Sequence, residues 1–265
     1  MLNFTKIFDR KIIKTKIDFS KYKNKSILIT GSKGSIGKKI IKKLKKHTKK
    51  ITAIDIEFDI SKNYNIEKLK KNKFDFAFHL AADKRADFAE KHPADVTKLN
   101  IITTSNIVKL NIDKIILGST CKAADPITSY GASKLICERI VLNNNGNVAR
   151  FVNVFDSSSS VTKIWKKINR KNSIPVTNCK RYFINLDEAV NLLLFTGLMP
   201  KGRYAYRNLK RYSMRKVANK IYPGRKISIM KLRFGDRLKE TLVALTEKTR
   251  VINKNIIQIV DCWGH

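Results

Sequence analysis

The chain has few acidic residues, few cysteines and no long apolar run. Its 21 aspartates and glutamates stand against 56 lysines and arginines, which gives a formal net charge of +35 at pH 7. No apolar run reaches the ~20 residues that a membrane-spanning helix needs, and the N-terminal residues lack the apolar core of a secretory signal. The four cysteines show no Cys-x-x-Cys spacing and the four histidines are scattered, which indicates neither a disulfide framework nor a metal site. We therefore expect a soluble protein of the reducing cytoplasm.

The excess of positive charge raises the question of nucleic-acid binding. The lysines are spread along the whole chain, and the densest run, residues 38–50, leaves an isoleucine stripe apolar, as on the solvated face of a helix. No known nucleic-acid-binding module is present. We attribute the charge mainly to coding bias in an AT-rich genome, with a smaller part for the steering of anionic ligands. Nucleic acid is not expected as a partner.

A glycine-rich loop follows the first apolar run, residues 27–30. Gly31, Gly34 and Gly37 lie between this run and an amphipathic stretch. Glycines at this spacing let the backbone turn tightly and approach a pyrophosphate, which then sits at a helix N-terminus. A second apolar run ends in Asp55, where an acidic side chain can bind the hydroxyls of an adenosine ribose. The pattern predicts a dinucleotide-binding site.

A second motif begins where the apolar run 115–117 ends. Thr120 follows this run, and Tyr130 and Lys134 lie four positions apart on a predicted helix. Four other tyrosines have a lysine at the same spacing, so the context alone distinguishes Tyr130. A phenol whose pKa is lowered by a neighbouring ammonium can remove a proton from a sugar hydroxyl.

With these motifs, the chain resembles the extended short-chain dehydrogenase/reductase superfamily and, within it, the UDP-N-acetylglucosamine 4,6-dehydratases of polysaccharide biosynthesis. Residues 119–126, Ser-Thr-Cys-Lys-Ala-Ala-Asp-Pro, are similar to the family pattern Ser-Thr-Asp-Lys-Ala-x-x-Pro, and residues 130–134 to Tyr-Gly-Ala-Ser/Thr-Lys. Cys121 stands where the family carries aspartate. Further segments that resemble family motifs, in the correct order, are residues 80–84, 150–154, 180–183 and 232–240.

The resemblance implies roles for individual residues. The implied catalytic residues are Thr120, Cys121, Lys122, Tyr130 and Lys134. The implied cofactor-binding residues lie in the glycine loop, after the next two strands and on the catalytic helix: Gly31, Lys33, Gly34, Ser35, Ile36, Gly37, Asp55, Asp59, Leu80, Ala81, Ala82, Lys84, Asn100, Tyr130 and Lys134. The implied substrate-binding residues are Lys84, Asn153, Arg181, Arg233 and Asp236.

The resemblance also implies a tightly bound nicotinamide cofactor, because the hydride is recycled within one turnover. The family favours NADP. Asp55 would repel a 2′-phosphate and favours NAD, although Lys33 could still pair with that phosphate. The choice between NAD and NADP stays open.

In the implied reaction, Tyr130 takes the proton of the sugar C4 hydroxyl while hydride leaves C4. Lys134 lowers the pKa of the tyrosine and Thr120 binds the C4 oxygen. Lys122 then acts at C5, water is lost across C5 and C6, and hydride returns to C6. The thiol of Cys121 is protonated at neutral pH and could donate the proton that the C6 oxygen needs. Alternatively, Cys121 is a small buried residue and the acid lies elsewhere or is absent.

Relatives that keep the tyrosine tend to invert C5, so the resemblance suggests an inverting dehydratase acting on UDP-N-acetylglucosamine. Two alternatives remain. A UDP-sugar 4-epimerase or reductase would need only Thr120, Tyr130 and Lys134. A catalytically silent cofactor- or nucleic-acid-binding protein belongs to another class.

The alternation of apolar runs and amphipathic stretches predicts an α/β fold, a Rossmann-type doubly wound parallel sheet with a smaller C-terminal cap. Strands are expected near 26–30, 51–55, 74–80, 114–118 and 148–153, and helices near 35–47, 62–71, 95–110 and 128–143. The expected divisions are an N-terminal arm at 1–22, an NAD(P)-binding domain at 23–154 with a return segment at about 181–204, and a UDP-sugar cap at 155–180 and 205–265. The resemblance implies a homo-oligomer, a dimer or larger.

Overall fold

The computed structural model describes residues 2–158, 160–232 and 235–262. The described strands, in chain order, are β1 (Ile27–Thr30), β2 (Ile51–Ile54), β3 (Phe74–His79), β4 (Ile112–Thr120), β5 (Asn147–Phe151), β6 (Asn153–Val154), β7 (Ile174–Thr177), β8 (Lys180–Ile184), β9 (Gly202–Tyr206), β10 (Arg211–Ser213), β11 (Ile227–Met230), β12 (Glu247–Val251) and β13 (Ile256–Asp261).

The described helices connect these strands. In chain order they are α1 (Phe4–Phe8), α2 (Ser35–Leu44), α3 (Asn63–Lys70), α4 (Ala86–Lys91), α5 (Pro93–Val96), α6 (Thr103–Ile107), α7 (Ser129–Asn143), α8 (Val161–Lys167), α9 (Leu186–Gly197) and α10 (Met214–Ile221). A π-helical segment, Thr97–Ile102, joins α5 to α6, and 3-10 turns occupy Phe19–Tyr22 and Cys121–Ala123. No described helix is long and apolar enough to cross a bilayer.

The large sheet has the strand order β2-β1-β3-β4-β5-β9-β13-β12. The strands from β2 to β9 pair in parallel, and β13 is antiparallel to both of its neighbours. The five strands predicted from the sequence are present, with bounds that differ by a few residues. The predicted doubly wound α/β fold is therefore confirmed.

Helices cover both faces of the large sheet, which is why its central strands are apolar on both sides. In β1, Ile27 and Ile29 pack against the cluster that contains Ile40 of α2 and Leu193 of α9. Leu28, between them, points to the opposite face and packs in the cluster formed with α3, α6 and α7. This two-residue alternation of a pleated strand between two helical layers defines the core.

The region between β3 and β4 differs from the single helix predicted near 95–110. Pro93–Val96, the π-helical segment and Thr103–Ile107 follow one another there, and α4 precedes them without having been predicted. Polar residues interrupt the apolar periodicity of this region, so the sequence pattern resolved only its longest helical part.

A smaller lobe is formed by the strands β6, β7, β8, β10 and β11 with the helices α1, α8 and α10, and its strands make a three-stranded sheet and a two-stranded one. Its core includes Trp165, Val176 and Phe183 together with Phe4 and Phe8 of α1. The N-terminal arm thus supplies part of the core of this lobe.

The prediction of a cap at residues 205–265 is wrong for residues 247–261. Strands β12 and β13 extend the large sheet beyond β9, and Ile256 and Ile259 of β13 are buried there. Charged residues such as Lys248 and Arg250 make β12 look like a surface segment in the sequence. Charges are common on the edge strand of a sheet, which explains the error.

Candidate active site

The strand order of the large sheet reverses between β1 and β3, because β2 lies on one side of β1 and the later strands lie on the other. In open α/β sheets, ligands bind in the crevice at the carboxyl ends of the strands at such a point. The glycine loop follows β1, and Leu80 and Ala81 follow β3. The predicted cofactor-binding segments therefore meet at this crevice.

A hydrogen-bonded network joins the two strands at the crevice. The Thr30 hydroxyl accepts hydrogen bonds from the backbone amides of Leu80 and Ala81, each at 3.1 Å, and lies 2.8 Å from Nδ1 of His79. Burial lowers the pKa of His79 to about 3, which favours the neutral ring. Because the Thr30 hydroxyl already accepts hydrogen bonds from two amides, it donates its own hydrogen to Nδ1. Nε2 then donates to the Thr104 hydroxyl at 3.1 Å. The hydrogen-bonded network at the base of the crevice therefore consists of uncharged groups.

Two glycines of the loop are required by close contacts. Gly31 has a φ of +68°, and a Cβ there would lie 2.8 Å from the backbone nitrogen of Ala81. A Cβ on Gly37 would lie 2.4 Å from the carbonyl oxygen of Gly31. Helix α2 begins at Ser35 after Gly34, and its N-cap provides no side-chain hydrogen bond. Free amides at a helix N-terminus beside such a loop fit a pyrophosphate.

Asp55 lies beside this loop at the end of β2. Its carboxylate accepts hydrogen bonds from the backbone amides of Lys33 at 2.6 Å and of Ile56 at 2.9 Å. The ammonium of Lys33 forms an ion pair with Glu57. Two acidic side chains at this position fit a ribose diol better than a 2′-phosphate. Asp59 accepts a hydrogen bond from the Ser61 amide at 2.9 Å and thereby closes the turn before α3.

Asn100, which is 1% exposed, connects the loop after β3 with helix α7. Its side chain accepts from the Asp83 amide at 2.8 Å and donates to the Asp83 carbonyl and to the Ser133 hydroxyl, both at 3.0 Å. Ser133 in turn donates to the carbonyl of Tyr130 at 2.8 Å. Asn100 lies in the π-helical segment, a feature frequently found at functional sites. It acts through its contacts as a positioning residue for the start of α7.

The turn Cys121–Ala123 follows β4 and packs directly against α7. Thr128 caps this helix by accepting a hydrogen bond from the Gly131 amide at 3.0 Å. A Cβ on Gly131 would lie 2.5 Å from the carbonyl oxygen of Lys122, so only glycine permits this contact. Tyr130 is thereby brought beside Thr120 and Lys122, as the motif predicted.

The cation with the largest effect on the phenol of Tyr130 is Lys122, whereas the sequence motif pointed to Lys134. Burial raises the pKa of its phenol to about 12, and Lys122 lowers that pKa more than any other group does. Lys134 is 3% exposed, burial lowers its pKa, and no described carboxylate lies within ion-pair distance of its amine. A buried amine without an ion pair fits a site that a ribose hydroxyl completes.

Lys122 faces a carboxylate that the sequence analysis did not select. Its Nζ lies 3.6 Å from Oε1 of Glu240, a residue that is 5% exposed. Burial works against the ammonium form of Lys122, but Cys121, Glu240 and Tyr130 favour it, and its pKa lies above the usual range. Burial and the neighbouring Glu240 raise the pKa of the Cys121 thiol to about 12. The only signal for Glu240 in the sequence was its place at the end of the segment 232–240.

The predicted substrate-binding residues have different surroundings. Arg181 forms an ion pair with Asp236 at 2.9 Å and donates to the carbonyl of Arg237 at 2.6 Å. Asn153 donates to the Tyr182 carbonyl at 3.0 Å and to Glu240 at 2.7 Å. Lys84 is exposed in the loop after β3. Arg233 lies outside the described residues.

A small cavity lies between the smaller lobe and the turn Cys121–Ala123, which we call the catalytic turn after its predicted residues. Cys121, Lys122, Arg181, Asp236 and Glu240 all line it. The cavity is therefore lined by two of the five predicted catalytic residues and by two of the predicted substrate-binding residues. The cavity and the crevice at β1 and β3 together form the candidate site of this α/β protein, in which acid–base groups lie near the segments predicted to bind a dinucleotide.

Comparison with known proteins identifies the family to which the chain belongs. Residues 49–261 match the family described as polysaccharide biosynthesis protein, and the chain belongs to that family. It is 34% identical over 218 residues to an uncharacterized membrane protein of Methanocaldococcus jannaschii, a match that covers 68% of this chain and 65% of that protein. It is 28% identical over 262 residues to the inverting UDP-N-acetylglucosamine 4,6-dehydratase of Campylobacter jejuni, covering 84% of this chain and 78% of that enzyme.

A solved structure supports the fold independently. The X-ray structure of Pen from Bacillus thuringiensis superposes with a TM-score of 0.77 at 22% identity and covers 91% of this chain and 89% of that one. The chain spans just under two thirds of the Methanocaldococcus relative, so the comparison with that protein concerns only the shared part.

Proposed function

We propose that the protein is a nucleotide-sugar 4,6-dehydratase that acts on UDP-N-acetylglucosamine and inverts C5. The observation that carries the proposal is the second acid–base pair beside Tyr130, formed by Lys122 and Glu240 at 3.6 Å. Oxidation at C4 needs only a base for the hydroxyl, whereas the loss of water needs further groups at C5 and C6. The similarity to the Campylobacter dehydratase supports the same reaction.

The cofactor is a nicotinamide dinucleotide, held at the crevice between β1 and β3. The uncapped start of α2 and the close approach at Gly31 favour a pyrophosphate there. Asp55 and Glu57 favour the unphosphorylated ribose of NAD over that of NADP. When bound, the nicotinamide supplies a hydride acceptor at C4 and a hydride donor at C6.

The residues of this chain then divide the proton transfers. Tyr130 as phenolate removes the proton of the C4 hydroxyl, and Thr120 orients the C4 oxygen. Because burial raises the pKa of Tyr130 to about 12, the phenolate depends on neighbouring cations, of which Lys122 has the largest effect. Lys134 binds the nicotinamide ribose. Lys122 removes the C5 proton once the 4-ketone has made it acidic.

Arg181 and Asp236 bind the nucleotide part of the substrate. The guanidinium of Arg181 lines the cavity and is 11% exposed in its side chain, so it can reach a phosphate without leaving the lobe. A guanidinium matches the geometry of phosphate oxygens.

The family resemblance also leads us to propose a homo-oligomer of two or more chains. Light scattering of the purified protein would measure the mass of the oligomer.

Incubation with UDP-N-acetylglucosamine and NAD or NADP, followed by mass spectrometry, tests the function. The expected product is lighter by one water, and NMR of that product reports the configuration at C5. An unchanged mass with an altered sugar would instead indicate a 4-epimerase, which needs only Thr120, Tyr130 and Lys134. Absence of turnover together with tight, salt-dependent DNA binding would indicate a silent binding protein.

A further inference from the structure

The two carboxylate oxygens of Glu240 differ in their hydrogen bonding: Oε2 accepts hydrogen bonds, and Oε1 has no hydrogen-bond partner among the described residues. Its Oε2 accepts hydrogen bonds from the side-chain amide of Asn153 at 2.7 Å and from the backbone amide of Tyr182 at 3.1 Å. Its Oε1 is buried, and among the described residues it has no hydrogen-bond partner. Buried polar atoms are nearly always hydrogen-bonded, so such an oxygen requires an explanation.

The open oxygen faces the cavity of the catalytic turn. Oε1 lies 3.6 Å from Nζ of Lys122 and 3.5 Å from Nε of Arg181, and Glu240 lines the same cavity as Cys121. The segment that carries Glu240 runs beside β8, where the Lys180 amide donates to the Leu238 carbonyl at 2.8 Å. The backbone thus brings this carboxyl to the catalytic turn from the opposite wall.

Cys121 is a poor candidate for the acid that the family places at its position. It is 3% exposed, and burial raises the pKa of its thiol to about 12, which makes it a weak proton donor. General acids work best when their pKa lies near the operating pH. The cavity therefore lacks a useful acid at residue 121 but contains a carboxyl on the opposite wall.

We propose that Glu240 is the general acid of the elimination step and replaces the aspartate that the family carries at position 121. This inference rests on the proposed dehydratase function. Asn153 is then a positioning residue, since its amide fixes Oε2 and leaves Oε1 directed at the substrate.

The proton balance of the step involves Glu240 and Lys122 together. Once C4 is oxidised, the ammonium of Lys122 passes a proton to Glu240, which leaves a neutral amine beside a carboxylic acid. The C5–H proton then passes to that amine, the electron pair forms the C5–C6 double bond, and the C6–O bond breaks. The leaving oxygen takes the proton of the Glu240 carboxyl and departs as water. Lys122 is then an ammonium and Glu240 a carboxylate, which is the ion pair seen in the structure.

The remaining steps restore both groups. Hydride returns to C6, and the ammonium of Lys122 returns its proton to C5. The proton that Tyr130 took from the C4 hydroxyl is passed to the neutral amine of Lys122, which restores the phenolate and the Lys122–Glu240 ion pair. Over one turnover, one proton and the C6 hydroxyl therefore leave as one water. Lys122 lies beside Tyr130 and Glu240 and is electrostatically coupled to each, which suits it to exchange protons with both.

The test compares Glu240→Gln with Cys121→Ala in single-turnover reactions that follow reduced nicotinamide absorbance and product mass. The parent protein is measured first, since a parent that loses no water would overturn the dehydratase function itself. With an active parent, Glu240→Gln should still oxidise C4 and accumulate reduced nicotinamide. Its water loss should fall by ~10²–10⁴-fold, the usual contribution of a general acid. Cys121→Ala should dehydrate near the parent rate.

Rescue separates catalysis from a structural role. Adding Cys121→Asp to Glu240→Gln should recover part of the water loss, because it moves a carboxyl to the family position. A merely structural role would slow oxidation and elimination equally and would not respond to this second substitution. Equal loss in both steps, or dehydration by Glu240→Gln at the parent rate, would overturn the assignment while leaving the dehydratase function intact.

Discussion

Two of the buried charge clusters in this protein differ in how completely their groups are paired. Arg150, on β5, uses all five of its N–H groups: two donate to Glu138, two to Glu247 and one to the carbonyl of Leu242. Glu240, in the catalytic cavity, has one oxygen with two donors and one with none among the described residues. Arg150 is 1% and Glu240 5% exposed, whereas the side chain of Lys122 beside Glu240 is 38% exposed.

The difference indicates different roles. The Arg150 cluster joins α7, β5 and β12, and Arg203 of β9 adds a further ion pair to Glu138 at 2.7 Å. All five N–H groups of Arg150 are hydrogen-bonded, which offsets the cost of burying its charge and leaves none for a ligand. Nε and Nη2 of Arg203, by contrast, lack a hydrogen bond of good geometry among the described residues. The Glu240 cluster keeps unsatisfied capacity that a substrate or a transferred proton can use. Complete hydrogen bonding at Arg150 and incomplete hydrogen bonding at Glu240 therefore fit a structural role for the first residue and the proposed reactive role for the second.

The largest effect should come from breaking the complete cluster. Arg150→Ala leaves the carboxylates of Glu138 and Glu247 buried without their main partner, and we expect a loss of ~3–5 kcal/mol in the free energy of unfolding. Denaturant unfolding measures it. Arg139→Ala is the matched control, because Arg139 pairs with Asp261 from a half-exposed position and should cost ~0–1 kcal/mol. Equal losses in both variants would contradict the distinction.

Removing the phenol from the reactive region should affect turnover and leave stability unchanged. Tyr130→Phe is expected to reduce C4 oxidation by at least ~10²–10⁴-fold, since no base then accepts the hydroxyl proton. Reduced-nicotinamide absorbance reads this step, and thermal unfolding checks the fold. Tyr64→Phe serves as the control, because exposed Tyr64 has Lys68 at the same spacing. Full activity in Tyr130→Phe would place the catalytic base elsewhere.

A smaller effect is expected on the affinity for the nucleotide UDP. Arg181→Ala should weaken UDP binding by a factor of ten or more, corresponding to ~1.5–3 kcal/mol for a charge-assisted hydrogen bond. Isothermal calorimetry with UDP measures this, with the exposed Arg170→Ala as the control. The sequence predicts the same loss for Arg233→Ala. Unchanged UDP affinity would remove the altered arginine from the site.

The smallest effect concerns the choice of cofactor. The parent should bind NAD more tightly than NADP, and Asp55→Ser should narrow that difference by ~1 kcal/mol, the interaction of two exposed charges near 4 Å in water. Fluorescence titration with both cofactors measures it. Glu67→Ser removes an exposed acid on α3 and should leave the preference unchanged. A parent that prefers NADP would contradict the role given to Asp55.

Local sequence patterns predicted the large sheet and the segments that meet at the crevice between β1 and β3. Glycines 31 and 37 could be recognised because each permits a backbone contact that a Cβ would prevent. Tyr130 could be recognised because the motif also contains Gly131, which lets α7 touch the catalytic turn. These features follow from backbone geometry over short distances, which a sequence encodes directly.

The tertiary structure alone decided which distant groups meet. It brought Glu240 to Lys122, joined Arg150 to Glu247, placed Phe4 and Phe8 in the core of the smaller lobe, and moved β12 and β13 into the large sheet. The sequence by itself determined the α/β class, the glycine loop and the Tyr130 helix, because period and turn chemistry act locally. Charge pairing acts through space, and in a chain with 56 basic and 21 acidic residues no pattern reveals which carboxylate becomes buried beside which cation.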